Sequence, residues 1–266
     1  MKETASFPNF SGKHAQEAFF SPADFVAYKR RQGTLPSFRI PEGVIFCYQT
    51  SLYRHVLERH AVERVEPFAG EFYLLKDADC GVGFSAMFGI GAPAVTTVLE
   101  ELIALGIERF VSIGTAGALA KTLKIGDVVV CERAVRDEGV SHHYLAPAKY
   151  AEASPDLTDQ LERVLRKTGL APLRGTSWTI DAPYRETVAE ARHYQQEGVL
   201  TVEMEAAALF AVAQYRGVDL AAAFTISDSL ADLVWEPRFG APQTHDGLER
   251  LYQAAVDTLL NETVPL

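Results

Sequence analysis

From residue 44 onward, short and mostly apolar runs alternate with stretches of 12–16 residues in which apolar positions recur every three or four. The first pattern predicts covered β-strands and the second amphipathic helices. VIFCY (44–48), VGFSAMF (82–88), RFVSI (109–113), DVVVCERAV (127–135), GTSWTI (175–180), VLTVEM (199–204) and LAAAFTISDS (220–229) read as strands, with one or two more between 61 and 80. SLYRHVLERH (51–60), AVTTVLEELIALG (94–106), PDLTDQLERVLRKTGL (155–170), ETVAEARHYQQEG (186–198), EAAALFAVAQYRG (205–217) and LERLYQAAVDTLLNETV (248–264) read as helices. Ser154 stands where an N-cap belongs, and Gly106, Gly169 and Gly198 stand at helix stops. Gly114-Thr115-Ala116-Gly117 reads as a small, bare turn between two core strands. Strands apolar on both faces and alternating with helices predict an α/β fold around a largely parallel, covered sheet.

Residues 1–42 break the rhythm. Pro8, Pro22, Pro36 and Pro41 punctuate them, leaving room for one short polar helix at 22–32. This segment is expected to be an N-terminal arm laid on the body of one domain spanning 1–266. No repeat or low-complexity tract follows it.

Composition narrows the function classes. Lys and Arg number 25 against 35 Asp and Glu, a formal charge of −10. That balance disfavours nucleic acid and anionic membrane surfaces as partners. The start MKETASFPNFSGKH lacks the apolar core of a signal peptide, and no apolar run reaches the ~18 residues of a membrane span. Cys47, Cys80 and Cys131 are too few and too scattered for a disulfide framework or a zinc quartet. A cytoplasmic protein is expected.

Four features fall where open α/β sheets bind ligands, at strand carboxyl ends and helix N-termini. Gly89-Ile90-Gly91 opens a helix, so bare backbone there could meet an anion or simply make a tight turn. Gly114 and Thr115 could likewise press backbone and a hydroxyl against a ligand. The stretch is neither a Walker loop nor GxGxxG. Glu203-Met204-Glu205 places two carboxylates around a methionine at a strand-to-helix junction. They serve either the helix dipole or the vicinal hydroxyls of a ribose. Ser227-Asp228-Ser229 ends a buried strand with an acid, which is either a local cap or a proton donor to a leaving group. His142-His143 lack a third metal ligand at short spacing, so no metal is expected.

Taken together and in this order, the segments GIGAP (89–93), ELIALGIERFVSIGTAGAL (101–119), IGDVVV (125–130), VEMEAAAL (202–209) and ISDS (226–229) resemble the nucleoside phosphorylase/nucleosidase superfamily. AVRDEGVSHHYLAP (134–147) is similar to its uridine phosphorylase branch in particular. The resemblance implies a three-layer α/β/α fold with a central mixed, partly closed sheet, and a homo-oligomer from dimer to hexamer. It implies cleavage of an N-glycosidic bond by phosphate or by water, with phosphate as co-substrate in the first case and no organic cofactor in either. A non-catalytic nucleoside-binding relative is the alternative outside enzymes, although such a binder would have no use for an acid at the base.

The resemblance further implies site roles, position by position. Glu205 and Met204 would hold the ribose with Glu203 close by. Thr115, Gly114 and Gly91 would meet the phosphate. Asp228, with Ser227, matches the acid that protonates purine N7, and Trp178, Thr179 and Asp181 would line the base pocket. His14 on the arm would reach a 5′-hydroxyl, and Arg54 or Arg136 would supply charge to the phosphate. The chain departs from the pattern in three places. TIDAPYRET (179–187) lacks the Gln-x-Arg pair that reads pyrimidines, which with Asp228 favours a purine. Ser112 stands where phosphorylases carry an arginine. CYQTSLYR (47–54) has neither their Gly-Asp-Pro-x-x-Arg loop nor the nucleosidases' glutamate.

Overall fold

A computed structural model describes residues 7–8, 10, 12–66 and 70–260. Helix α1 (Pro22–Arg31) precedes β1 (Gly43–Cys47), α2 (Thr50–Arg59), the antiparallel β2 (Val62–Val65) and β3 (Glu71–Leu75), then β4 (Val82–Ala86) and α3 (Ala92–Ala104). The second half runs β5 (Arg109–Ala118), β6 (Val128–Asp137), β7 (Tyr150–Glu152), α4 (Pro155–Lys167), β8 (Leu173–Ile180), α5 (Val188–Gln196) and β9 (Thr201–Glu203). It closes with α6 (Ala206–Arg216), β10 (Asp219–Ser229), β11 (Glu236–Pro237) and α7 (Pro242–Leu260).

The period of two along each strand sorts the core into two faces. Val44, Phe46, Phe110, Leu220, Ala222 and Phe224 pack with α3 and α6 on one face. Ile45, Cys47, Val111, Ile113, Ala221 and Ala223 pack with α2, α4 and α7 on the other. Helix α6 is buried from Ala206 through Ala213. Its alanines let it lie close to both the sheet and α3. Helix α4 is one-sided, burying Leu157, Leu161, Val164 and Leu165. The result is a three-layer α/β/α architecture.

The sheet is mixed rather than largely parallel. Strands β1, β4, β5 and β10 pair in parallel, as do β6, β8 and β9, whereas β5–β9, β6–β10 and β3–β4 are antiparallel. Strand β5 pairs with both β10 and β9, and β10–β6–β8–β9 complete the circuit, so five strands close on themselves. Periodicity alone cannot separate parallel from antiparallel pairing when both faces of a sheet are covered.

A second difference bears on the site. Gly114–Gly117 is not a turn: β5 runs straight through it to Ala118, and neither glycine adopts positive φ. Ser154 does precede α4, but its hydroxyl accepts from the Leu220 amide at 2.8 Å instead of capping the helix. Strands β7 and β11 are too short to show in the sequence pattern, and α7 starts six residues before its predicted first turn.

Helix α7 lies directly on β10 at Gly247, where a Cβ would sit 2.1 Å from Thr225 Oγ1 and 2.8 Å from its Cβ. Alanine is the better helix former by ~1 kcal/mol, but this overlap is with a buried side chain and overpacking costs ~1–3 kcal/mol. Gly247→Ala should therefore lower the stability measured by denaturant unfolding. Adding Thr225→Ala should recover at least half of the loss, because that hydroxyl is buried without a hydrogen-bond partner.

Candidate active site

Strand β5 changes neighbours along one edge. Strand β1 pairs with it only as far as Cys47 opposite Ile113, and β9 begins only at Val202 opposite Gly117. The edge of Gly114, Thr115 and Ala116 is left open between them, and a cavity of about 590 Å³ forms there. The same cavity is lined by Met204 and Glu205 at the start of α6 and by Ser227 and Asp228 at the end of β10.

Glu205 is held from two sides. Gly91, with φ of 90° at the N-cap of α3, donates its N–H to Glu205 Oε1 at 2.6 Å. Behind it lies Glu203, whose Oε1 accepts from Thr179 Oγ1 at 2.5 Å and Ser177 Oγ at 3.4 Å. Glu203 Oε2 accepts the amides of Glu205 at 2.8 Å and Ala206 at 2.7 Å. Burial raises the Glu203 carboxyl while these four donors pull it back down. Burial first, then the charge of Glu203, pushes Glu205 up to about 8. Glu203 thus caps α6 and fixes the junction, and Glu205 is the carboxylate offered to a ligand.

At the other acid, a β-bulge between Ile226 and Asp228 breaks the alternation of β10. That irregularity lets consecutive residues, Ser227 and Asp228, both line the cavity. Ser227 Oγ donates to Asp228 Oδ1 at 2.8 Å and Trp235 Nε1 donates to Oδ2 at 3.0 Å. Gly117 makes room for this arrangement, since a Cβ there would lie 3.2 Å from Asp228 Oδ2 and 2.8 Å from Leu230.

The remaining expected residues lie elsewhere. Trp178 is fully buried and donates to Asp137 Oδ2 at 2.9 Å while packing on Tyr194. Thr179 is consumed between Glu203 and the Ala207 amide. Asp181 is exposed and accepts from the Gly139 amide at 2.7 Å. None of the three is in the cavity wall, because β8 sits one strand behind it. Gly91 spends its N–H on Glu205 rather than facing a phosphate. Arg136 is buried and ties down its own loop through Ser141, Leu145 and Ala146. Arg54 is exposed on α2, and His14 sits in a short 3-10 turn (Lys13–Ala15) that packs on the turn holding His142 and His143.

Sequence reasoning missed Tyr48 and Gln49 after β1, and Tyr184, Glu186, Trp235 and Phe239 around the mouth. Four of these lie within segments already singled out, Tyr48 and Gln49 in CYQTS and Tyr184 and Glu186 in APYRET, but nothing in those segments marks which residue faces inward. Glu186 is pushed up to about 7 by burial and then by the charges of Asp228 and Glu190. No Lys, Arg or His is in the cavity wall among the described residues.

Residues 52–260 match the family model described as the Phosphorylase superfamily. The chain belongs to that superfamily. Among curated members of it, a DeoD-type purine nucleoside phosphorylase of Alkaliphilus metalliredigens is 32% identical over 144 residues, 53% of this chain and 62% of the relative. A guanosine phosphorylase of Halorubrum lacusprofundi is 32% identical over 142 residues, 53% of this chain and 59% of the relative. A uridine phosphorylase of Haemophilus influenzae is 31% identical over 145 residues, 49% of this chain and 57% of the relative. The matches thus span less than two thirds of each relative's length. The fold is also that of purine nucleoside phosphorylase from Toxoplasma gondii (TM-score 0.73, 20% identity, 84% of this chain and 91% of that one). Uridine phosphorylase from Vibrio fischeri is similar at TM-score 0.66 and 24% identity, with the same coverage.

The raised Glu186 carboxyl makes a stability prediction. Below the usual glutamate range, folded and unfolded chains both carry its proton. As pH rises toward 7 the unfolded chain has lost that proton and the folded chain retains it, so stability falls, and the full penalty is present above 7. Glu186→Gln should raise the melting temperature at pH 8 by about 2 °C and leave it nearly unchanged at pH 4.5. Equal shifts at both pH values would show that the carboxylate is not strained by its site.

Proposed function

We propose that this protein cleaves the N-glycosidic bond of a nucleoside, preferring a purine, with phosphate as nucleophile, releasing free base and ribose 1-phosphate. The observation that carries the reading is the convergence of Glu205, Met204, Thr115 and Asp228 on one cavity at the open edge of β5. Glu205 would accept both ribose hydroxyls, with Met204 against the sugar. A phosphate oxygen bonds to C1′ at the Thr115 end as the C1′–N bond breaks and its electron pair moves into the base. A proton reaches the purine from the Asp228 end, where Glu186 keeps a proton within electrostatic reach of Asp228. Kinship with purine nucleoside, guanosine and uridine phosphorylases supports the reaction class. The choice of purine rests on Asp228 and on the missing Gln-x-Arg pair.

Assembly and location belong to the same proposal. Tyr184, Ile90, Trp235 and Phe239 stand at the cavity with fractional exposures of 100%, 64%, 58% and 54%. A second copy covering this apolar rim could bring the cation that a phosphate needs. No helix among the described residues is long and apolar enough to cross a membrane, and we assign the protein to the cytoplasm.

One observation favours water instead of phosphate. Among the described residues, the wall holds Glu186, Glu203, Glu205 and Asp228 and no cation. At an effective dielectric constant of ~20, a charge at ~6 Å from a carboxylate costs about 3 kcal/mol. Inosine, guanosine, adenosine and uridine assayed with and without phosphate decide the matter. Phosphate-dependent base release with ribose 1-phosphate formed is expected, and release indifferent to phosphate would establish hydrolysis. Asp228→Asn should lower purine cleavage by ~10²–10⁴-fold. A near wild-type rate would remove Asp228 from proton transfer.

A further inference from the structure

At the end of the cavity built from β1 and β5, the neutral side chains of Tyr48, Gln49 and Thr115 line the wall, with Ser112 buried behind Tyr48. Tyr48 Oη and Ser112 Oγ are 2.9 Å apart, and Ser112 is buried within β5. Burial keeps the Tyr48 phenol protonated, well above its ordinary range. The position where phosphorylases carry an arginine is therefore filled by a hydroxyl pair with no charge.

Beside it, Gln49 reaches over the bare strand edge. Its Nε2 donates to Thr115 Oγ1 at 3.1 Å, and its Oε1 is buried with no hydrogen-bond partner. Gly114 permits this approach. A Cβ there would lie 3.2 Å from the Tyr48 ring and 3.6 Å from Gln49 Oε1. Both Gln49 and Thr115 line the cavity. A buried amide oxygen without a donor is costly unless a ligand supplies one.

The pair has a fixed hydrogen-bonding character. With Gln49 Nε2 donating to Thr115, the Thr115 O–H is free to donate and Gln49 Oε1 to accept. Were the amide turned over, Thr115 would donate to Oε1, leaving Nε2 to donate and the threonine oxygen to accept. Either way, the pair keeps a donor and an acceptor uncommitted beside the cavity that both residues line. That complements a group carrying an O–H next to a lone pair.

We propose that Gln49 and Thr115 form the nucleophile-binding pair, and that they select an O–H-bearing nucleophile, either water or the monoprotonated form of phosphate. The inference rests on the glycosidic-cleavage reading for its catalytic consequence but not for the binding chemistry. In the phosphate case the P–OH donates to the pair's acceptor while another phosphate oxygen bonds to C1′. In the water case the water oxygen bonds to C1′, and its proton leaves to solvent as the base takes up its own. A fully deprotonated tetraoxyanion such as sulfate has no O–H to offer the acceptor, so it is disfavoured.

Two variants and two measurements test this. Gln49→Leu should lower kcat for base release by about 10²-fold while the nucleoside KM stays within about threefold, because ribose and base contacts are elsewhere. Gln49→Glu, which keeps size but only accepts, separates the two sources. It should abolish phosphate-dependent release if phosphate is the nucleophile, and retain phosphate-independent release if water is. Unchanged kcat in both variants would overturn the proposal and leave the functional reading standing. Calorimetry with phosphate and with sulfate on the nucleoside-free protein answers the case in which no nucleoside is cleaved. A preference for phosphate of tenfold or more that is lost in Gln49→Leu would support the pair and overturn the reaction assigned to it. Neither turnover nor any such preference would overturn both.

Discussion

The carboxylate of Glu203 is the interaction on which the rest of the site depends. It is buried, and it gathers two hydroxyls from β8 and two amides from the first turn of α6. An anion at a helix N-terminus with every lone pair occupied is the arrangement that makes a buried carboxylate tolerable. Because its donors come from two different elements, it fixes the angle at which α6 leaves β9. Glu205, two residues on, is thereby presented to the cavity, with the Gly91 amide holding one of its oxygens.

The cavity itself follows from strand pairing. Strand β5 has ten residues and more partners than one edge can hold at once. Its first half runs beside β1 and its end beside β9, and the changeover leaves a short stretch of backbone facing open space. Small residues at that stretch let Tyr48 and Gln49 fold over it from the end of β1. The bulge in β10 turns two successive polar side chains into the same space from the opposite neighbour of β5. The site is thus a by-product of closing five strands into a ring.

Its electrostatics are lopsided. The wall carries Glu186, Glu203, Glu205 and Asp228, the first three raised by burial, while Tyr48, Gln49 and Thr115 at the β1–β5 end are uncharged. Such a distribution suits the development of positive charge on a ribosyl group. It does not by itself suit a phosphate dianion, which is why the second copy proposed at the rim would matter to the chemistry.

The helices and the principal strands were legible in the hydrophobic pattern, because burial on one stripe or on both faces follows directly from side-chain spacing. The carboxylates Glu205 and Asp228 were legible as acids out of place in apolar segments. Trp178, Thr179, Asp181 and Arg136 looked equally eligible, yet strand order puts β8 behind the wall and loop geometry consumes the arginine. Glycines at 114 and 117 suggested a turn locally, whereas non-local pairing to β10 holds them extended. Gln49 carried no signal at all, since its significance is an unpaired buried oxygen that exists only once β1 and β5 lie side by side. What the sequence determined by itself was which segments had to be buried and which acids were anomalous. Only the tertiary structure decided which polar groups satisfy one another and which are left for a ligand, because deciding pairs such as Gln49 with Thr115 and Gly91 with Glu205 lie tens of residues apart in the chain.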